Sequence, residues 1–277
     1  MVNAVVATDS PPRVTLLFAT FRAAIHRIYT GERPAGVERP PNVFVLMKHL
    51  SAIDRHALLE SGFVIPGPVA GDVLNCLATA YDVAVASADP NDIGNGRTTT
   101  RVHDFVNRGA AFDDLYIHPP ALVACELVIQ QPFRLSTFGA RTVRPFAHAQ
   151  ELHVDYAVDA EGWPMLGFIL MVDDFRPDNG ATRFVPGSHL ATQTSGWSVS
   201  SNSVQDYVLA CAPAGSMILY NGSVWYGRGA NGSGQPRRSI QGAYIRRSSP
   251  PAVDFLARMH PDTLGRLSSV AKHVLAI

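Results

Sequence analysis

The sequence is poor in cysteine, in charged residues and in long apolar runs, and each shortage excludes a class of protein. Its 277 residues include three cysteines, too few and too scattered for a dense disulfide framework or a Cys-x-x-Cys motif. Charged residues make up 17% and the formal net charge is zero, which excludes a basic field for nucleic acid. No apolar run reaches membrane-spanning length, and the N-terminus has no secretory signal pattern.

What remains is the composition of an enzyme-sized chain, long enough to bury a substantial core. We expect a cytoplasmic location and a small-molecule substrate, with no nucleic acid and no membrane as partner. Association as a homodimer or with a paralogue is a further expectation. The cysteines, Cys76, Cys125 and Cys211, lie in apolar contexts and are expected to be buried free thiols.

Residue patterns predict helices in the first half of the chain and strands in the second. Helical spacing of apolar residues predicts helices at about 14–29, 51–60, 70–87 and 119–131, with a short strand at about 62–66. Ser51-Ala52-Ile53-Asp54 is predicted to be the N-terminal cap of the second of these helices. After Pro132 the pattern changes. Strands separated by Gly, Pro and Asn are predicted at about 133–143, 150–158, 165–173, 182–186, 216–220 and 238–247, followed by two short helices between about 253 and 274.

This order of elements predicts a mainly β fold with flanking helices, a double-stranded β-helix of the jelly-roll, cupin-like kind. We expect a single domain over 1–277, with a tail at 1–12, a mostly helical part at 13–131, a barrel core at 132–248 and C-terminal helices at 249–277. Residues 88–100 are rich in local breakers and predict a mobile loop, a candidate lid over the barrel mouth.

The segment His153-Val154-Asp155 is the strongest chemical signal. Residues i and i+2 of a strand point to the same face, so His153 and Asp155 can converge on one ion. Together they are two thirds of a 2-His-1-carboxylate facial triad, which leaves positions open on non-haem Fe(II). The short pattern alone is weak evidence, because a chain with ten histidines contains such pairs by chance.

Five segments around and beyond this pair make the pattern specific: Gln150–Tyr156, Leu170–Phe175, Asn179–His189, Ala214–Tyr220 and Trp225–Asn231. Together they resemble the phytanoyl-CoA dioxygenase (PhyH) family, and the resemblance covers roughly residues 55–248. It implies a double-stranded β-helix, Fe(II) held by His-x-Asp and a distal histidine, and 2-oxoglutarate as co-substrate.

Residue by residue, the resemblance places the family's metal ligands on His153 and Asp155, and its distal histidine on Tyr226. The family's arginine for the far carboxylate of 2-oxoglutarate falls on Arg237. Ser239 lies two residues further along the same strand and so shares its face. Arg237 and Ser239 can therefore offer a guanidinium and a hydroxyl to one carboxylate.

Tyrosine in place of the distal histidine leaves three interpretations open. A phenol has an ordinary pKa near ~10 and must lose its proton to bind metal well. Tyr226 is therefore an unusual ligand, or stands back while water or another side chain completes the sphere, or marks a site that has lost its metal. Arg228, where the family has a small residue, puts a bulky cation near the co-substrate.

These patterns predict a non-haem Fe(II)- and 2-oxoglutarate-dependent dioxygenase-like enzyme with an atypical metal site, acting on a small metabolite of specialised metabolism. The alternative is a redox-silent relative, an isomerase, cyclase or binding protein that no longer uses iron and 2-oxoglutarate. In that case Tyr226 acts as a general acid and His153 as a base.

Other polar residues receive no chemical role from the sequence. Gln150 precedes His153 by three and is expected on the opposite face unless a bulge intervenes. Arg141 is expected to be a surface charge and His189 a turn residue, while Trp225 is expected to pack in a core.

Overall fold

The computed structural model describes residues 50–67, 71–191, 198–199 and 206–277, so the predicted tail and the helix at 14–29 lie outside the described residues. Six α-helices are described: α1 Ala52–Ser61, α2 Gly71–Ala86, α3 Pro119–Val128, α4 Phe255–Arg258, α5 Pro261–Arg266 and α6 Ser269–Leu275. In this part of the chain no helix is both long and apolar enough to cross a membrane.

Twelve strands are described, and every pairing between them is antiparallel. They are β1 Phe63–Val64, β2 Ile93–Asn95, β3 Thr99–Val102, β4 Phe133–Val143, β5 Leu152–His153, β6 Met165–Met171, β7 Thr182–Phe184, β8 Ser198–Val199, β9 Val208–Ala210, β10 Met217–Asn221, β11 Tyr226–Arg228 and β12 Arg237–Arg246. Seven strands form one sheet in the order β1-β10-β6-β12-β4-β3-β2, and five form a second in the order β8-β5-β11-β7-β9.

The two sheets face each other across a shared apolar core, as in a jelly roll. Met171 of the seven-stranded sheet and Phe184 and Tyr226 of the five-stranded sheet belong to one buried cluster. Helix α2 covers the outer face of the large sheet, where the Tyr81 hydroxyl lies 2.8 Å from Thr142 Oγ1. The predicted mainly β architecture with flanking helices is confirmed.

Strands β4 and β12 form the middle of the large sheet and set the direction of the site's side chains. They pair along nearly their whole length, with Ser239 opposite Arg141 on β4 and opposite Met171 on β6. Residues directly opposite each other lie on one face of a sheet. Since Met171 faces the core between the sheets, Arg237, Ser239 and Arg141 face the interior as well.

Several local predictions are confirmed in detail. Ser51 begins α1 with a capping box, in which its hydroxyl accepts from the Asp54 backbone N–H and the Asp54 carboxylate accepts in return. This satisfies two backbone donors that the helix leaves free. Strand β4 covers the range predicted for it, Phe133–Val143, and Trp225 packs with Leu152 and Val154 in a small cluster.

The predicted mobile loop at 88–100 is wrong, because most of it forms a hairpin. Strands β2 and β3 pair with each other, and β3 extends the large sheet beside β4. Three of the four residues of β3, Thr99, Thr100 and Val102, are β-branched and favour an extended chain. Gly94 and Gly96 are typical of turns, so the pattern indicated a loop and the two short strands were not predicted.

Two further expectations fail. The strand predicted at 150–158 is hydrogen-bonded as a strand only at Leu152 and His153. Of the cysteines, Cys125 is buried as expected, whereas Cys76 and Cys211 are exposed. Helix α2 has one face in solvent, and an apolar neighbourhood in sequence does not reveal which face a given residue takes.

Candidate functional site

His153 and Tyr226 lie directly opposite each other on the paired strands β5 and β11. Opposed residues share a face, so both side chains point into the space between the sheets. Their ring centroids are 4.6 Å apart. Gly227 permits this close pairing, because a Cβ on it would lie 2.8 Å from the Glu151 carbonyl oxygen.

The His153 ring is held in one orientation by the backbone. Its Nδ1 lies 3.1 Å from the Glu151 carbonyl oxygen, which can only accept, so Nδ1 donates this hydrogen bond and Nε2 is the nitrogen that faces Asp155. The Gln150 amide nitrogen lies 3.5 Å from that Nε2. A histidine whose second nitrogen donates to a carbonyl is the usual arrangement of a metal ligand.

The Asp155 carboxylate receives two phenol hydroxyls. Tyr226 lies 3.0 and 2.9 Å from its two oxygens, and the Tyr220 hydroxyl donates to Oδ2 at 3.1 Å. The Nε2 atom of His153 is 3.8 Å from Oδ1. That separation is within the span of two donors that each lie roughly 2.1 Å from one ion.

Tyr220 comes from the opposite sheet and was not indicated by the sequence. It lies on β10 opposite Gly167 of β6. Its ring occupies the space that a side chain at position 167 would fill, because a Cβ on Gly167 would be 2.2 Å from the ring. The missing side chain lets the phenol lie across β6 and reach Asp155. This contact can be recognised only when the pairing of β10 with β6 is known.

Tyr226 is a neutral phenol in this arrangement. Burial raises its pKa well above the ordinary value, and the nearby Asp155 charge raises it further. A phenol that keeps its proton donates to a carboxylate rather than binding a metal. Among the described residues no group of three His, Cys, Asp or Glu side chains could hold an ion.

The separation of His153 Nε2 and Asp155 Oδ1 would let both atoms reach one metal ion, with the Tyr226 hydroxyl on both oxygens of the carboxylate. In that case Tyr226 and Tyr220 would orient the Asp155 carboxylate, as hydrogen-bonded neighbours of metal ligands commonly do.

Arg237 is a buried cation with free donors. Its side chain is 2% exposed, its guanidinium stacks 3.8 Å from the Phe175 ring centroid, and its Nε and Nη1 find no hydrogen-bond partner in the described part of the chain. Burial, together with the charges of Arg228 and Arg141, lowers its pKa to about 9. An unpaired buried guanidinium is costly, so this group fits an anionic ligand such as the carboxylate of 2-oxoglutarate.

Ser239 shares the interior face with Arg237 and is fully buried. Its hydroxyl lies 3.2 Å from the Arg141 carbonyl oxygen and accepts from the Gln241 amide at 3.4 Å. In the ligand-free protein the Ser239 hydroxyl therefore donates a hydrogen bond from β12 to the neighbouring strand β4. Contact with a co-substrate requires that the hydroxyl rotate away from this partner.

Two expectations about neighbouring residues are corrected by the structure. Gln150 approaches His153 because the chain before β5 is not regular strand. Arg141 faces the interior through its register with Ser239 and is half-buried. His189 lies in a turn as expected, Ser188–Leu190, and is buried there, with Nε2 2.9 Å from the Leu59 carbonyl oxygen.

A sequence profile described as Phytanoyl-CoA dioxygenase (PhyH) matches residues 60–239 of this chain. Dioxygenase cdmA of Talaromyces verruculosus is 36% identical over 106 residues, which are 35% of each chain. Dioxygenase af480 of Aspergillus fumigatus is 26% identical over 198 residues, 68% of this chain and 60% of the relative. The chain thus spans about half the length of these relatives.

Solved structures share the fold at low sequence identity. The epimerase SnoN, in complex with Fe3+, alpha-ketoglutarate and nogalamycin RO, aligns with a TM-score of 0.60 at 19% identity, covering 74% of this chain and 88% of SnoN. HygX from Streptomyces hygroscopicus, with nickel, 2-oxoglutarate and hygromycin B bound, aligns with a TM-score of 0.60 at 15% identity, covering 73% of this chain and 90% of HygX.

Proposed function

The chain belongs to the phytanoyl-CoA dioxygenase family, and we propose that it is an Fe(II)- and 2-oxoglutarate-dependent oxygenase that acts on a small metabolite through an atypical metal site. One observation carries the proposal. Arg237 is a buried guanidinium with free donors, on the face of the large sheet that looks toward His153, Asp155 and Tyr226.

The proposed roles follow from the positions of these side chains. His153 Nε2 and the Asp155 carboxylate would bind the metal, and Tyr226 and Tyr220 would hold Asp155 in place. Arg237, with Ser239 beside it, would bind the far carboxylate of 2-oxoglutarate. When bound, iron and 2-oxoglutarate would supply the chemistry of C–H oxidation by O2, with 2-oxoglutarate as the co-substrate that is oxidised to succinate and CO2.

The surrounding protein contributes orientation and exclusion of water. Phe175 covers one face of the Arg237 guanidinium, so the cation is fixed before the ligand arrives. Phe184 stacks on Tyr226 with centroids 5.8 Å apart and closes the apolar side of the site. A preorganised cation in a site without water binds an anionic ligand more strongly than the same cation in water does.

The test is an anaerobic titration with Fe(II) and 2-oxoglutarate, followed by the weak visible charge-transfer band of the chelate and, separately, by equilibrium dialysis of each ligand. Wild-type protein should bind both. Arg237→Gln should weaken 2-oxoglutarate binding at least about tenfold, or ~1.4 kcal/mol, and leave Fe(II) binding in place.

Arg176→Gln is the matched control, because Arg176 is half-exposed and pairs with Asp178 at 3.1 Å on the surface. It should change neither affinity. If wild-type protein binds neither ligand at millimolar concentration, the proposal is wrong.

A second candidate function is a redox-silent isomerase, cyclase or binding protein, and the observation that favours it is the Tyr226 hydroxyl on both oxygens of Asp155. Here Tyr226 would donate its proton to a substrate oxygen, and His153 would act as the base. Turnover that persists without O2 and in a chelator would establish this candidate. Complete loss of turnover under either condition would eliminate it.

A further inference from the structure

The interior of the fold carries more positive charge than the proposed co-substrate requires. On the large sheet, Arg101 lies opposite Arg141, and Arg141 lies opposite Ser239, whose face looks into the core. Arg237 precedes Ser239 by two and shares that face. Three arginines of this sheet therefore point toward the site.

A fourth arginine reaches the same space from the opposite sheet. Arg228 follows Tyr226 by two residues on β11 and so shares its interior face. It is 5% exposed, and the one hydrogen bond that the described residues give its guanidinium runs from Nη1 to the Gly229 carbonyl oxygen, at 2.9 Å. That acceptor is an uncharged backbone group, so the charge of Arg228 is not compensated.

The arginines lie close enough to repel one another. Burial, together with the charges of Arg141 and Arg183, lowers the pKa of Arg228 to about 10. Arg228 and Arg141 in turn are the two charges that depress the pKa of Arg237. Like charges held together without a partner destabilise the ligand-free protein.

Nearby carboxylates do not balance this charge. Asp155 supplies one negative charge, and it is within electrostatic range of Arg101. Asp173, a carboxylate near Arg237, forms an ion pair with Arg238 at 2.7 Å. Fe(II) and the 2-oxoglutarate dianion carry equal and opposite charges, so binding both leaves the excess unchanged.

Exposure decreases along the arginines from the surface inward. Arg101 is exposed, Arg141 is half-buried and Arg228 is buried. Such a series attracts an anion from solvent and holds it most strongly at the inner end, where the dielectric constant is lowest. Arg237 is assigned to the co-substrate, and a single carboxylate does not need a second, separate guanidinium from the other sheet.

We infer that the substrate carries a carboxylate or phosphate group, which Arg228 and Arg141 bind beside the co-substrate, with Arg101 at the entrance. This inference rests on the proposed function in one respect: it assigns Arg237 to 2-oxoglutarate. The rest of the substrate lies toward His153 and Asp155, and the anionic group fixes its orientation.

The test uses small probes of known charge. In metal-free buffer with saturating 2-oxoglutarate, calorimetry compares phenyl phosphate and benzoate with benzamide, which has the size of benzoate but no charge. Wild-type protein should bind both anions at least about tenfold more tightly than benzamide, ~1.4 kcal/mol. Arg228→Gln and Arg141→Gln should each remove most of this preference and leave 2-oxoglutarate affinity within about threefold, ~0.7 kcal/mol.

Three controls separate the explanations. Arg237→Gln should weaken 2-oxoglutarate binding and retain the preference for anions. Arg228→Lys keeps a positive charge and should retain part of the preference for anions. A partial preference in this variant would show that the loss of preference in Arg228→Gln is not caused by misfolding. Circular dichroism checks the fold of each variant. Arg176→Gln, on the surface, should behave as wild type.

Several results would overturn the inference. Two of them concern the probes: benzamide binds as tightly as benzoate, or wild-type protein binds neither anion. The other two concern the co-substrate: phenyl phosphate displaces 2-oxoglutarate, or Arg228→Gln lowers the affinity for 2-oxoglutarate as much as Arg237→Gln does. Either of these last two results would mean that all the arginines form one co-substrate site. If wild type binds phenyl phosphate through Arg228 but never binds 2-oxoglutarate, the proposed function fails and the anion site stands.

Discussion

The Tyr226 hydroxyl lies 3.0 and 2.9 Å from the two oxygens of Asp155. It therefore contacts both of the oxygens that a metal would use, at the residue where the sequence resemblance places the family's metal-binding histidine. Whether this contact orients a ligand or replaces a metal is the main question about the protein, and it can be decided by changing one side chain.

Tyr226→His should raise Fe(II) affinity at least about tenfold, ~1.4 kcal/mol, because a neutral imidazole replaces a phenol that would have to deprotonate. The double variant Tyr226→His with Arg228→Ser should exceed the single one, since it also removes a repelling cation. Equilibrium dialysis of Fe(II) and succinate formation measure the two effects.

The control for the added imidazole is Tyr207→His, because Tyr207 is an exposed residue outside the proposed metal site. It should not change Fe(II) affinity. If neither Tyr226 variant gains metal, His153 and Asp155 are not an iron site. If both gain metal but lose the native reaction, Tyr226 is the working acid.

Arg228→Met should stabilise the ligand-free protein. Arg228 is buried without a charged partner, and replacing a poorly compensated buried charge by an apolar side chain of similar length is expected to gain about 1–3 kcal/mol. Urea unfolding at pH 7 measures the free energy of unfolding.

Arg246→Met is the matched opposite case. Arg246 is as buried as Arg228, but it is bound to Asp159 at 2.5 and 2.8 Å and to the Gly162 carbonyl. Its loss should destabilise the fold. A loss of stability of the same size in both variants would contradict the claim that Arg228 is uncompensated.

Gly167→Ala should destabilise the fold by about 1–3 kcal/mol, the usual cost of overpacking, because the new Cβ would meet the Tyr220 ring at 2.2 Å. The same change should move the Tyr220 hydroxyl off Asp155 and weaken Fe(II) binding. Gly265→Ala is the control: no atom lies within 4 Å of a Cβ there, so it should be neutral or slightly stabilising. A neutral Gly167→Ala would show that Tyr220 can move without cost.

His118 should make stability fall as the pH falls from about 6.5 to about 4. Burial lowers its pKa from 6.5 to about 4, so the unfolded chain binds a proton that the folded one does not. The contribution of His118 to the free energy of unfolding is therefore fully present above pH 6.5, the pKa in the unfolded chain. It is lost as the pH falls toward about 4, the pKa in the folded protein, and the loss is about 3 kcal/mol at most.

His118→Gln, which cannot take up that proton, should flatten this slope in urea unfolding between pH 7 and pH 4. His189 and His273 are shifted in the same direction by burial, so part of the slope should remain. His148→Gln, at an exposed residue, should keep the whole slope. An unchanged slope in His118→Gln would contradict the assignment.

Local patterns predicted the elements of this fold wherever the alternation of side chains was long. Strand β4 matches its predicted range, and the capping residues of α1 were legible as Ser51 and Asp54. Strand β11 was missed, because Gly227 and Arg228 are not residues that favour strands, whereas β7, which is equally short, was predicted within 182–186. The hairpin of β2 and β3 was missed because its breakers suggested a loop.

The sequence by itself determined the jelly-roll class, and it predicted that His153 and Asp155 converge and that Tyr226 and Arg237 have roles at the site. These depend on local spacing and on a family pattern. The tertiary structure decided that Tyr220 reaches Asp155 from the other sheet and that Arg141 faces inward. Those contacts depend on which strands pair and in which register, and residues far apart in sequence carry no local signal of that choice.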